Sequence, residues 1–407
     1  MLLTAREAAD RLGIKLDTLY AYVSRGRLRS LAVPGSRQRR YRVAEVDALR
    51  DPPIGATHGN AEELTPVITS SICLIENGRL YYRGRDALIL GDTATLEEVA
   101  ALLWQDAACP LPEPPSRAGE GGAGVRAHRE RQRPAAERWE RARDEEVGLI
   151  ERCQFCLARL SAIDLEALDL TRAGIVRTGR LILDALAICV GDAGAVFGPL
   201  HRRLAASWHL DEAGADLVRR CLVLLADHEL NASTFVARCV ASTGATPYAV
   251  VSAALAALSG RRHGGASAQA EALLHELIRG GDPMAAMAAR LARNETLPGF
   301  GQPLYPDGDP RAVAILDAVA GNLPEAWARI ETILDAASRL VRQRPNVDFA
   351  LAAATAGLGL PQGAALSLFV IGRTVGWIAH AIEQYETGTL IRPRARYTGP
   401  RPSENPS

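Results

Sequence analysis

The chain has 407 residues, with 47 basic and 47 acidic side chains and a formal net charge of zero. That length allows two or three domains with real cores, and the charge balance excludes a global field favouring nucleic acid or membrane. The neutrality is uneven, because residues 1–50 carry 11 Lys or Arg against 5 Asp or Glu, a net of +6. Within that segment Thr4-Ala5-Arg6-Glu7 is a capping box, and Ala8, Ala9 and Leu12 give the helix it opens an apolar face. Gly13 breaks this helix, Asp17 caps a second one carrying Leu19, Tyr20 and Val23, and Gly26 ends it. Two extended pieces, Leu28–Val33 and Arg39–Val43, follow around Pro34-Gly35-Ser36, and a last short helix covers Ala44–Leu49.

Helix, tight turn, helix and basic hairpin make the layout of a winged helix-turn-helix. The run Leu3-Thr4-Ala5-Arg6-Glu7-Ala8-Ala9, with Leu19, Gly26 and Arg40-Tyr41-Arg42, resembles the DNA-binding domain of the MerR and excisionase families. The resemblance implies that the second helix, with Lys15, Thr18 and Tyr22, enters the major groove. It also implies that Arg37, Arg39 and Arg40 lie on the wing near phosphates. A basic turn on a protein-docking or oligomerisation module is the alternative.

Residues 51–65 read as a linker, Pro/Gly-rich and without apolar period. Ser70–Tyr82 reads as a hairpin, with Ile72, Leu74 and Leu80 as strand formers and Asn77-Gly78 as the turn. Leu96–Trp104 follows as a helix capped by Thr95, and Pro110–Glu146 as a long charged loop or helix. Seven cysteines show no disulfide rhythm, and Cys153 and Cys156 form a lone C-x-x-C, best read as two cysteines on one helix face. Beyond them nearly everything has helical period. Leu217, Val218, Cys221, Leu222, Leu224 and Leu225 share a face, and Pro247–Leu258 is apolar all round and therefore buried. The apolar stretch 364–382 is interrupted by Arg373 and His380, which argues against a membrane span, and the N-terminus lacks a signal core. The expectation is a reduced, cytoplasmic, soluble, all-α protein without a bound metal.

Three segments carry the candidate chemistry. His263 precedes two glycines at a helix start, where the positive helix end disfavours the imidazolium; a neutral imidazole is a good donor to an enolate oxygen. Asp348 borders the apolar run Phe349–Ala354, so its carboxylate is partly desolvated and suited to removing a proton next to a carbonyl, although taken alone an Asp there is read first as an N-cap. His228 follows an amphipathic helix, with spacing unlike a zinc motif. Arg373 within an apolar helix needs an anion, either a ligand or a carboxylate such as Glu383 or Asp348. Gly372 and Gly376 allow close helix approach, within a subunit or across a dimer.

Taken in order, these segments resemble the citrate synthase family from about Pro66 to Gly399. The motifs are Tyr82-Arg83-Gly84-Arg85, Ala226-Asp227-His228-Glu229, His263-Gly264-Gly265-Ala266, Gly299-Phe300-Gly301, Asp309-Pro310-Arg311, Asn346-Val347-Asp348, Gly372-Arg373 and Arg392-Pro393. The resemblance implies a large helical domain in two pieces, 66–260 and 356–400, with a small domain at 261–355, a module at 1–50 and a tail at 401–407. It implies a homodimer without a permanent cofactor, taking acetyl-CoA as co-substrate. Asp348 would deprotonate the acetyl methyl and His263 would bind the enolate oxygen. His228, Arg311 and Arg373 would hold oxaloacetate, with Arg392 reaching in from the partner subunit.

Two departures stand out. Gln302 occupies the place of the family's third catalytic residue, a His, and an amide donates a hydrogen bond but no proton. Pro303 and Pro306 flank Leu304-Tyr305 where the family carries basic residues, and Ser267 replaces its usual Asn. Condensation of an acyl-CoA with oxaloacetate, slowed by Gln302, is the first expectation; a DNA-binding regulator whose body senses a keto acid, citrate or acyl-CoA is the alternative.

Overall fold

The computed structural model describes residues 2–12, 16, 19–20, 23, 28, 30–32, 39–43, 46, 68–106, 147–191, 198–395 and 397–399. The chain divides into two compact units, Met1–Ile68 and Thr69–Ser407.

In the first unit, helix α1 (Ala5–Leu12) starts at the capping box read from the sequence. The Thr4 N–H donates to Glu7 Oε2 at 2.7 Å and Glu7 N–H donates to Thr4 Oγ1 at 3.3 Å. Strands β1 (Leu2–Leu3), β2 (Ser30–Ala32) and β3 (Arg39–Arg42) form an antiparallel sheet with β3 central. Tyr41 is buried while Arg39 and Arg42 are exposed. Leu3, Ala8, Ala9, Leu19, Leu28, Tyr41 and Val46 make a core of their own. Lys15, Thr18, Tyr22 and Arg37, the linker at 51–65 and Pro110–Glu146 lie outside the described residues.

The second unit opens on strands β4 (Cys73–Glu76), β5 (Arg79–Tyr82) and β6 (Arg85–Asp86). Asn77 and Gly78 both take positive φ, 51° and 72°, which is the two-residue turn that matches strand twist. Helices α2 (Ala87–Thr93), α3 (Leu96–Trp104), α4 (Leu149–Ile163) and α5 (Arg172–Gly191) follow, with Thr95 and Glu98 forming a full capping box on α3. Cys153 and Cys156 lie buried on α4. Then come α6 (Leu200–Ser207), α7 (Glu212–Leu225), α8 (Ala232–Ala241) and α9 (Pro247–Leu258). The last six are α10 (Gly264–Arg279), α11 (Pro283–Ala292), α12 (Pro310–Asn322), α13 (Pro324–Leu340), α14 (Val347–Gly357) and α15 (Ala364–Thr387).

Two helices act as hubs. The 24-residue α15 is long and apolar enough to cross a membrane, but 94% of its apolar window is buried inside the protein, packed against α3, α5, α7, α8, α9, α10 and α14. Its glycines make this possible: a Cβ on Gly372 would lie 2.8 Å from Leu222 O, and one on Gly376 would lie 2.4 Å from Ala226 O. The close approach allowed by these glycines is therefore made within the subunit, against the end of α7. The second hub is α14, whose Phe349 to Ala354 are wholly buried among α10, α12, α13 and α15. Small side chains in that run let four helices close on one.

Candidate active site

His228 sits in the loop between α7 and α8. Glu229 takes the left-handed conformation (φ 52°), and its N–H donates to Asp227 Oδ1 at 3.1 Å, fixing the turn that carries the imidazole. The His228 Nε2 lies 3.1 Å from Tyr305 Oη. Burial, then the nearby Arg311 and Arg373, hold its pKa well below the ordinary 6.5.

His263 caps α10, with Nε2 2.7 Å from Ser233 Oγ and its ring edge-on to Phe369. Burial, followed by Arg373, pushes it down to about 4, so it is neutral at physiological pH. Ser233 Oγ accepts from Trp377 Nε1–H at 3.1 Å and has one proton for two acceptors, Asn231 Oδ1 at 2.9 Å and His263 Nε2. When that proton goes to His263, the imidazole carries its own on Nδ1.

Asp348 lies in the first turn of α14. The cap is made instead by Asn346, whose Oδ1 accepts from the N–H groups of Asp348 at 3.0 Å and Phe349 at 3.4 Å. That leaves the Asp348 carboxylate free for other work, and it accepts a hydrogen bond from Ser267 Oγ on α10. Burial raises its pKa, opposed by Ser267, Arg311 and Arg373 and reinforced by Asp309. The segment before it is clasped to the Gly299–Gly301 turn: Asn346 N–H donates to Gly299 O at 2.9 Å and Gly301 N–H to Arg344 O at 2.8 Å. Gly299 (φ 89°) is required there, since a Cβ would sit 2.9 Å from that of Phe349.

The two buried arginines differ. Arg311 makes a bidentate pair with Asp309, Nε–Oδ1 3.0 Å and Nη2–Oδ2 2.7 Å. Burial pulls the Arg311 guanidinium down, but Asp309 outweighs it and leaves the group above its ordinary value. Arg373 is 1% exposed, donates Nε–H to Leu225 O at 2.8 Å and lies 4.8 Å from the Phe369 ring, while its buried Nη1 has no hydrogen-bond partner among the described residues. It pairs with neither Asp348 nor Glu383; the latter bonds to Arg238 at 2.6 Å.

Arg373 acts electrostatically on His228, His263 and Asp348, and Arg311 on His228 and Asp348, so these five residues share one region. Gln302 lies in the loop leading to Tyr305; its Oε1 accepts from the Leu304 N–H at 3.4 Å. A cavity of about 430 Å³ lined by Gln269, Leu273, Arg290, Thr296 and Pro298 adjoins that loop and α10. A larger one, about 610 Å³, is lined by Leu88, Arg220, Pro310 and Val313, and neither cavity is lined by any of the candidate residues. Arg392 is exposed in the segment after α15 and joins none of these contacts. Sequence reasoning gave no role to Ser233, Trp377, Asp309 or Ser267; only their places beside named motif residues could have pointed to them.

Residues 62–394 match the family profile described as citrate synthase, C-terminal domain, and residues 2–51 that of a helix-turn-helix domain. Citrate synthase 2 of Bacillus subtilis is 39% identical over 191 residues, which are 44% of this chain and 50% of that protein. The 2-methylcitrate synthase 2 of Corynebacterium glutamicum is 37% identical over 188 residues, 44% of this chain and 48% of that protein. The chain thus spans about half the length of these relatives. The crystal structure of citrate synthase from Thermotoga maritima is similar over 84% of this chain and 96% of that one, at a TM-score of 0.63 and 26% identity. The Thermoplasma acidophilum enzyme, solved with carboxymethyl coenzyme A and oxaloacetate, shares the fold at a TM-score of 0.65 and 21% identity, over 85% of this chain and 97% of that one.

Proposed function

The chain belongs to the citrate synthase family, and from that premise we propose that it condenses a short acyl-CoA, acetyl-CoA first, with oxaloacetate to give citrate and CoA. The observation that carries this reading is the buried Arg373 with an unpartnered Nη1, whose field reaches His228, His263 and Asp348 together. Asp227 acts on it from a distance, but a buried cation that no carboxylate among the described residues hydrogen-bonds calls for an anionic ligand.

Asp348 takes a proton from the acyl α-carbon, which its raised basicity favours. Neutral His263, protonated on Nδ1 while Ser233 serves Nε2, donates a hydrogen bond to the enolate oxygen. Arg373, Arg311 and His228 hold the two carboxylates and the keto group. The nucleophilic carbon attacks the keto carbon as the C=O π pair moves onto oxygen; Gln302 can donate a hydrogen bond to that oxygen but no proton, so the alkoxide takes its proton from water. Water then releases CoA from the citryl thioester. Residues 261–355 act as the small domain over the substrate, and Arg392 enters the site of the partner subunit in a homodimer.

Thiol release over a panel of acyl-CoAs and 2-oxo acids tests the proposal, with Asp348→Ala as control. Turnover that survives Asp348→Ala removes the assignment of the base.

A regulator is favoured by one separate observation: a helix-turn-helix unit with its own core and the exposed cation Arg39. Binding of promoter DNA that strengthens or weakens with citrate, oxaloacetate or acyl-CoA would support it. The two activities are compatible in one chain.

A further inference from the structure

Among the described residues, the base Asp348 touches one hydroxyl. Ser267 is fully buried on α10, one helical turn beyond His263, and its Oγ donates to Asp348 Oδ1. His263 at the N-cap and Ser267 in the first turn stand at the same end of α10, so the start of one helix carries both the imidazole assigned to the enolate oxygen and the hydroxyl that meets the base. The hydrogen bond ties α10 to the first turn of α14 across a packed helix pair. A serine has one proton to donate, and it occupies Oδ1, leaving Oδ2 to receive the substrate proton.

We infer that Ser267 is a positioning residue that sets which oxygen of Asp348 works as the base, how basic it is, and how far it stands from His263. The inference rests on the reading of Asp348 as base. The charged groups around Asp348 are Arg311 on α12, Asp309 at its cap and Arg373 on α15; Ser267 is the neutral donor among them. Burial disfavours the charged form of the carboxylate. A donor to its charged form restores the ionised state. When Oδ2 carries the abstracted proton, the same hydroxyl still donates to Oδ1, so the geometry survives the transfer.

The experiment uses the full chain labelled with ¹³C at aspartate Cγ, with Asp348→Asn to assign the resonance. In Ser267→Ala the Asp348 titration midpoint rises by about one to two pH units, the worth of one hydrogen bond to a charged group. Ser267→Thr, which keeps the hydroxyl, returns it to within about half a unit. A midpoint unmoved in Ser267→Ala, or equally moved in Ser267→Thr, overturns the inference whether or not the protein turns over. The acid limb of kcat/KM for thiol release shifts with the same midpoint, while KM for oxaloacetate stays within about twofold. Absence of thiol release from the unmodified chain would count against the proposed reaction and leave the titration result standing.

Discussion

Replacing each buried arginine by methionine separates a cation already paired with a protein carboxylate from one that is not. Arg311 is locked to Asp309 by two hydrogen bonds, and both groups are almost wholly buried. Breaking a buried pair strands the other charge and costs about 3–5 kcal/mol. Among the described residues Arg373 has no such bonded partner: its removal forfeits one bond to Leu225 O, the contact with Phe369 and the more distant attraction of Asp227, and it relieves the cost of a buried charge. Those contributions oppose one another, so Arg373→Met is expected within about 2 kcal/mol of the unmodified chain. At about 1.5 °C per kcal/mol for a unit this large, Arg311→Met lowers Tm by roughly 4–8 °C and Arg373→Met changes it by roughly 3 °C or less. Ligand response runs the other way. Oxaloacetate at a hundredfold its Kd adds about 2.7 kcal/mol, roughly 4 °C, to the unmodified chain and nothing detectable to Arg373→Met. Differential scanning fluorimetry with and without oxaloacetate reads both quantities. Should Arg373→Met fall as far as Arg311→Met and keep its ligand shift, Arg373 is structural and the pocket reasoning is wrong.

Restoring a proton donor with Gln302→His should raise the rate of thiol release by about 10²-fold, the low end of general-acid help; no gain would mean the site has been rebuilt around the amide. Stability should fall as pH drops from about 6.5 to about 4. His201 and His263 are pushed down to about 4 and His228 well below its ordinary value, so the unfolded chain binds their protons first. The fall from 6.5 to about 4 for His263 corresponds to at most about 3 kcal/mol, and His263→Gln should flatten the urea-midpoint profile by that share. Asp348 has the opposite sign, since its raised value makes the folded state hold its proton longer as pH rises above the ordinary carboxylate range. An unchanged slope in His263→Gln would count against a neutral imidazole. Finally, Arg39→Ala with Arg40→Ala should abolish salt-sensitive retardation of promoter DNA; retention would move any contact off the wing.

Local rules carried far where they act alone. The capping boxes at Thr4 and Thr95, the Asn77-Gly78 turn and the all-round apolar Pro247–Leu258 each depend on a few adjacent residues, and each stands where the pattern put it. The hub role of α15 was less legible. Its length and hydropathy suit a membrane helix; Arg373 and His380 argued against a span, and Gly372 and Gly376 hinted that protein packs on it. Small alanines in α14 are equally silent, because alanine propensity is high in exposed and buried helices alike.

The site divides along the same line. Asp348 looked like a cap or a base from its neighbours alone, since both roles favour a carboxylate at a helix start. The choice depended on Asn346, two residues earlier, whose side chain takes both N–H groups and so releases the aspartate. Arg311 and Arg373 looked alike as arginines in apolar surroundings. The difference between them is one carboxylate: Asp309 stands two residues from Arg311 and chelates it, while nothing within reach of Arg373 Nη1 accepts a bond. A local partner can be read from spacing. The lack of one emerges only when the helices packed on α15 have closed, and that lack is what carries the proposal that Arg373 takes an anion.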